Sequence, residues 1–186
     1  GEIDFVVVVP SKGVLVLEVK GSEYVAFDGQ RWVFGQGPNA LTKPISPFVQ
    51  AKDNMISLRT YVGGQLSAVS GMAFGYCVVL PRCGRIRHPS PEWDSHHLIT
   101  ADDLARETLP ALILKSLEVW RDIQRTSPST ARWFVSSLPT RQQVPQIVQL
   151  LRPRFEVFEP PSARAQRRDA ELKRYSEEQF GALDSM

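Results

Sequence analysis

Two carboxylates and one amine stand out in an otherwise apolar opening stretch. Asp4 precedes the run Phe5-Val6-Val7-Val8-Val9, and Glu18 and Lys20 flank Val19 at the end of Val14-Leu15-Val16-Leu17. Both runs favour β-structure and read as strands over 2–9 and 14–20, joined by a turn at Pro10-Ser11-Lys12-Gly13. Side chains alternate along a strand, so Glu18 and Lys20 share a face. Asp4 joins them only if opposed positions sum to an even number, which requires a loop of odd length. A three-residue loop with Gly13 in the left-handed position would serve. Asp4 would then oppose Glu18 or Lys20, with opposed Cβ atoms about 5 Å apart and diagonal ones about 7–8 Å apart.

Burying two uncompensated carboxylates is costly, and one lysine cannot neutralise both. A hard cation with oxygen ligands can, and Mg²⁺ is the usual choice where phosphate is the substrate. Such an ion polarises a phosphodiester and acidifies water. Lys20 would orient the attacking water and offset charge growing on the phosphate. The competing reading is an ion pair of Lys20 with Asp4 or Glu18 at the sheet edge.

Other reactive groups point less clearly to chemistry. His96 and His97 are adjacent and would point apart on a strand, so they read as structural or surface residues. Cys77 lies in the apolar run Tyr76-Cys77-Val78-Val79-Leu80 and reads as a core thiol; with Cys83 the only other cysteine, no disulfide framework is implied and a reducing cytoplasm is expected. The net charge of +2 hides an uneven distribution: residues 121–154 hold six arginines (121, 125, 132, 141, 152, 154) against one acid, Asp122. Arg82, Arg85 and Arg87 follow the Cys77 strand. A basic surface fits a polyanion such as DNA; an arginine-rich solvated surface is the alternative. A content of 42% hydrophobic and 23% charged residues in 186 suits one globular domain with a tail. No apolar run approaches the roughly 20 residues that span a bilayer, so no membrane partner is expected.

The elements that must position these groups follow along the chain. Tyr24–Phe27 and Arg31–Phe34 read as a hairpin about Asp28-Gly29, followed by a Gly/Pro/Asn loop over 35–45. Ser46-Pro47 opens a helix as N-cap and first-turn proline, with Phe48, Ala51, Met55, Leu58 and Val62 facing the core until Gly63-Gly64 stops it. Residues 72–80 read as a buried strand. Thr100 with Asp103 starts a helix that breaks near Pro110 and resumes to about Gln124, and Thr140 with Gln143 caps another. Strands apolar on both faces imply a sheet covered by helices. The expected fold is α/β, a mixed central sheet flanked by helices. Pro160-Pro161-Ser162-Ala163 reads as a linker.

Gly1-Glu2-Ile3-Asp4, the hairpin and Leu17-Glu18-Val19-Lys20-Gly21 resemble the PD-(D/E)XK nuclease superfamily, and within it the nuclease-related domain called NERD. The similarity continues through Gly29, Trp32, Pro47-Phe48 and Gln50, clearly to about residue 62 and more loosely over 72–125. The resemblance implies a restriction-endonuclease-like fold. It implies Asp4, Glu18 and the Val19 carbonyl as ligands of Mg²⁺ (or Mn²⁺), Lys20 as the catalytic lysine, and Gln50 as a further active-site glutamine. By strand alternation Glu2 shares the face of Asp4, as a further acid or a strand-end charge. These nucleases usually carry an acidic helix before the Asp strand; the chain opens at that strand, so an N-terminally truncated fragment of a longer polypeptide is expected.

Tyr175-Ser176-Glu177-Glu178-Gln179-Phe180 is similar to the start of UvrD-like helicase domains, which implies that Gln179 reads the adenine of ATP in an intact helicase; a Ser-x-x-Gln capping box explains the same residues locally. The expected organisation is a NERD domain over 1–158, a linker over 159–174 and the beginning of a helicase domain over 175–186. The expected function is metal-dependent hydrolysis of DNA beside an ATP-dependent helicase, in DNA processing or repair. The alternative is a nuclease-fold DNA-binding or regulatory module with weak or no activity.

Overall fold

The computed structural model describes residues 2–69, 71–84, 86, 92–128, 134, 139–152 and 168–169. The expected linker (apart from 168–169), the helicase-like segment with Gln179, and Arg85, Arg87, Arg132 and Arg154 lie outside the described residues. The chain divides into two units, Gly1–Leu151 and Arg152–Met186. The first holds two sheets and their covering helices.

At the centre of this unit is a mixed four-stranded sheet in the order β1-β2-β6-β7, flanked by helices: β1 Phe5–Val9, β2 Gly13–Val19, β6 Phe74–Leu80 and β7 Leu98–Thr100. β1 runs antiparallel to β2, while β2, β6 and β7 run parallel. Val14, Leu15, Val16 and Leu17 are all buried, as is every residue of β6, because α1 (Pro47–Gln65) and α3 (Leu109–Thr126) both pack on these two strands. Each such Val or Leu contributes roughly 1.5–3 kcal/mol by leaving water. α3 lies on the Gly13/Gly75 face, which Leu117 and Trp120 approach closely. A Cβ on Gly13 (φ +145°) would stand 2.7 Å from the Ala73 carbonyl oxygen, so that position admits no side chain.

The β1–β2 loop has three residues, Pro10-Ser11-Lys12, and opposed positions sum to an even number, as in Phe5↔Leu17 and Val9↔Gly13. Ser11, with φ 61°, takes the left-handed position that the sequence offered to Gly13. β1 starts at Phe5 rather than residue 2, β2 ends at Val19 rather than 20, and β6 begins at Phe74 rather than 72.

A second, three-stranded antiparallel sheet holds the expected hairpin, β3 (Val25–Phe27) and β4 (Trp32–Phe34), and adds β5 (Leu41–Lys43) from within the expected loop. Its Trp32 packs against Phe48 at the start of α1. Ser46 caps α1 by accepting from Phe48 N at 3.1 Å. The helix continues through Gly63-Gly64 to Gln65, because Val62 is fully buried and its carbonyl still accepts from Leu66 N at 2.8 Å. α2 (Ala101–Arg106) and α3 break at Glu107–Thr108, with Pro110 in the first turn of α3. α4 spans Gln143–Leu151. Among the described residues no helix is long and apolar enough to cross a membrane.

Helix α3 also completes the edge of β6. β7 pairs only with Val78–Leu80, which leaves the earlier backbone groups of β6 without a strand partner on that side. Trp120 Nε1 donates to the Tyr76 carbonyl at 3.0 Å, and the Gln124 side chain both donates to the Phe74 carbonyl and accepts from Phe74 N. Buried backbone groups must be paired; here an indole and an amide replace a strand.

Candidate functional site

The register carries Asp4 to the end of β2. The ladder stops at Phe5↔Leu17, and Asp4 Oδ2 accepts from Val19 N at 2.7 Å. Lys20 N donates to the Val79 carbonyl of β6 at 3.0 Å. Backbone groups alternate sides along a strand, so the Val19 N–H and carbonyl both face the β1 side, where Asp4 lies. The exposed Asp4 carboxylate thus stands in for the ladder rung that β1 does not supply.

Glu18 is the buried member, at 1% exposure, and it projects from the face opposite α3. Its Oε1 forms a short ion pair with Lys20 Nζ, and its Oε2 is buried with no hydrogen-bond partner among the described residues. The ion pair weighed against a metal site is therefore present, yet it leaves half of the carboxylate unsatisfied. An orphaned oxygen on a buried charge is costly, and a divalent cation is a partner of the right charge and hardness. The residues present fit a Mg²⁺-type ion: Glu18 Oε2, the Asp4 carboxylate and the Val19 carbonyl are all oxygen donors at one end of β2.

Gln50 is half-buried in the first turn of α1. One turn later on the same flank, buried Asn54 donates from Nδ2 to the Glu2 carbonyl at 2.8 Å. The structure thus puts Asp4 on the Val19 N–H and Lys20 on Glu18, both at the end of β2. It ties α1 to the strand entry through Asn54 rather than Gln50. Helical spacing puts Asn54 one turn after Gln50, but nothing in the sequence signals its bond to Glu2.

Residues 1–81 match the family model of the nuclease-related domain, NERD. No curated protein and no solved structure matches the chain. The NERD match runs from the strand entry through β6 and contains Asp4, Glu18, Lys20 and Gln50. A mixed sheet flanked by helices is consistent with a nuclease-like fold, and the match over residues 1–81 suggests a nuclease-related function for this region.

A second cluster lies beyond the NERD match. His96 and His97 occupy a 3₁₀ turn, Ser95–His97, so they do not point apart; their ring centroids are 3.8 Å apart. Asp94 caps the turn, and its backbone N–H donates to His97 Nδ1 at 2.8 Å. His97 stacks on Tyr76, and His96 meets Trp120 edge-on. Burial lowers His96. Burial, then the neighbouring His96, pushes His97 down to about 4. Ligand atoms of Asp94, His96 and His97 lie within 4.8 Å of one another. An alternating-strand reading of 95–100 concealed this group, because β7 begins only at Leu98.

Proposed function

We propose that this domain hydrolyses DNA phosphodiester bonds with Mg²⁺ or Mn²⁺. The observation that carries the reading is Glu18: a fully buried carboxylate paired with Lys20 through one oxygen and orphaned at the other, beside Asp4 at the end of β2. Asp4, Glu18 and the Val19 carbonyl would hold the cation, which supplies Lewis-acid polarisation of the phosphate and a more acidic water. Lys20, held against Glu18, would orient water and offset negative charge on the phosphate. Gln50, one turn before Asn54 on α1, would join the same site, a role supported by its resemblance to the family pattern. Arginines of the domain would grip the backbone without reading sequence.

The resemblance of residues 175–180 to a helicase start supports a fusion in which this domain works beside an ATP-dependent helicase, Gln179 contacting adenine there, in DNA processing or repair. Two free thiols, Cys77 buried and Cys83 half-buried, suit a reducing cytoplasm. A second reading is a DNA-binding or regulatory platform with little activity. It draws on the internal engagement of both active groups, Asp4 with Val19 N–H and Lys20 with Glu18.

Plasmid nicking separates them. The nuclease reading expects Mg²⁺- or Mn²⁺-dependent nicking that Lys20→Ala abolishes while DNA affinity stays within about threefold, since general acid–base and electrostatic groups supply roughly 10²–10⁴-fold in rate. DNA binding without nicking by clean wild-type protein supports the platform.

A further inference from the structure

We infer that Asp94, His96 and His97 form a second cation site, selective for a zinc-class divalent ion and separate from the Glu18 site. Two imidazoles and one carboxylate within 4.8 Å of one another make a nitrogen-rich donor set. Such a set favours Zn²⁺ or Co²⁺ over Mg²⁺, which prefers oxygen.

The second observation is His96 Nε2, which is buried and has no hydrogen-bond partner among the described residues. A ring nitrogen shielded from water and from hydrogen-bond donors retains a lone pair for a cation. The ring cannot easily turn away: it lies edge-on to Trp120, and the His96 carbonyl accepts from Ser116 Oγ at 2.9 Å. Its neighbour is held between Tyr76 and Trp120.

Zinc bonds to nitrogen and oxygen are about 2.0–2.2 Å, so neighbouring donors of a tetrahedral shell sit about 3.3–3.5 Å apart. Closing a spacing of 4.8 Å to that range takes an approach of about 1.3–1.5 Å, to which the exposed Asp94 side chain can contribute by rotation. A cation seated there takes the His97 lone pair that now accepts from Asp94 N–H, exchanging one neutral hydrogen bond for a metal–nitrogen bond. Three protein ligands leave a fourth position open on the solvent side, where Asp94 is exposed. The site belongs to the turn before β7, and β6 stands between it and β2.

The test needs no DNA and is therefore independent of the nuclease reading. The tag-free 186-residue chain carrying Glu18→Gln, which disables the oxygen site, is titrated with Zn²⁺ by calorimetry and with Co²⁺ by visible absorption. The expected result is one equivalent bound, a ligand-field spectrum of nitrogen-ligated cobalt, and no competition from millimolar-range Mg²⁺. Adding His96→Gln or Asp94→Asn should weaken Zn²⁺ binding at least tenfold, with circular dichroism showing that each variant remains folded. These two positions are chosen because His97 is packed between rings and its loss could disturb folding. No uptake by the parent protein, or uptake that neither substitution weakens, overturns the site.

Discussion

Two edges of the central sheet run out of strand, and the molecule fills them differently. At the end of β2 the missing rung is supplied by the exposed carboxylate of Asp4, which accepts from Val19 N. Along the first half of β6 it is supplied by Trp120 and Gln124, neutral side chains that are themselves buried. A charged, solvent-facing filler can exchange a backbone N–H for a cation with little rearrangement. A neutral, buried filler can only hold the backbone in place. The proposed chemistry therefore suits the first edge, and support suits the second. The histidine cluster, packed against Trp120 on the supporting edge, is the exception that the cobalt titration addresses.

The contrast is broken most severely through activity. Lys20→Ala should lower the nicking rate about 10²–10³-fold, whereas His96→Gln, on the supporting edge, should leave it within about twofold. Parallel plasmid assays with Mg²⁺ decide this. Equal losses in both variants would mean that the two edges form one functional unit.

Gln124→Ala strikes the supporting edge alone. It strips partners from both Phe74 N and the Phe74 carbonyl in a fully buried strand. Each orphaned group costs about 1–3 kcal/mol, so a loss of roughly 2–6 kcal/mol is expected in denaturant unfolding. A change below about 0.5 kcal/mol would show that water or a neighbouring group takes over and that the amide is not a strand substitute.

The two strands of the hairpin were legible from their β-branched runs, but the register was not: the sequence allowed Asp4 beside Glu18 or Lys20 only with an odd loop, and the structure has the three-residue loop that meets this condition. The burial of Glu18 followed from a strand apolar on both faces, whereas Asp4, expected to be buried with it, is exposed because it lies before the first ladder pair. What could not be read were the points where the ladder stops. β1 gives way at Asp4, and β7 arrives late beside Trp120, through contacts between residues far apart in sequence. β5 has no signal in the sequence because Leu41, Thr42 and Lys43 are all exposed and show no alternation. Gly63-Gly64 failed to stop α1 because packing of Val62 outweighs the modest helix cost of glycine.

Asn54→Ala tests whether the charged edge depends on its helix. Asn54 is buried and holds the Glu2 carbonyl two residues before Asp4. Its loss should cost about 1–2 kcal/mol of stability and raise the Mg²⁺ concentration needed for half-maximal nicking, while leaving DNA affinity unchanged. A stability loss with an unaltered Mg²⁺ requirement would make Asn54 a packing residue only.

The smallest expected effect lies beyond β7, at the capping box of α2, and it carries a pH signature. Asp103 Oδ2 accepts from Thr100 N at 2.9 Å and from Thr100 Oγ1 at 2.7 Å. Partial burial pulls its carboxyl upward, but the hydrogen bonds from Thr100 and Arg106 outweigh this and hold it below its ordinary value of 3.8. A carboxyl lowered by folding stabilises the native state above its unfolded value, and that contribution disappears as pH falls through the lowered one. Thr100→Ala removes one of these bonds and should cost about 1 kcal/mol at neutral pH. The gap between variant and wild type should shrink as unfolding is measured at pH values descending below 3.8. A gap that stays constant over that range would assign the effect to Thr100 packing rather than to the ionised carboxylate.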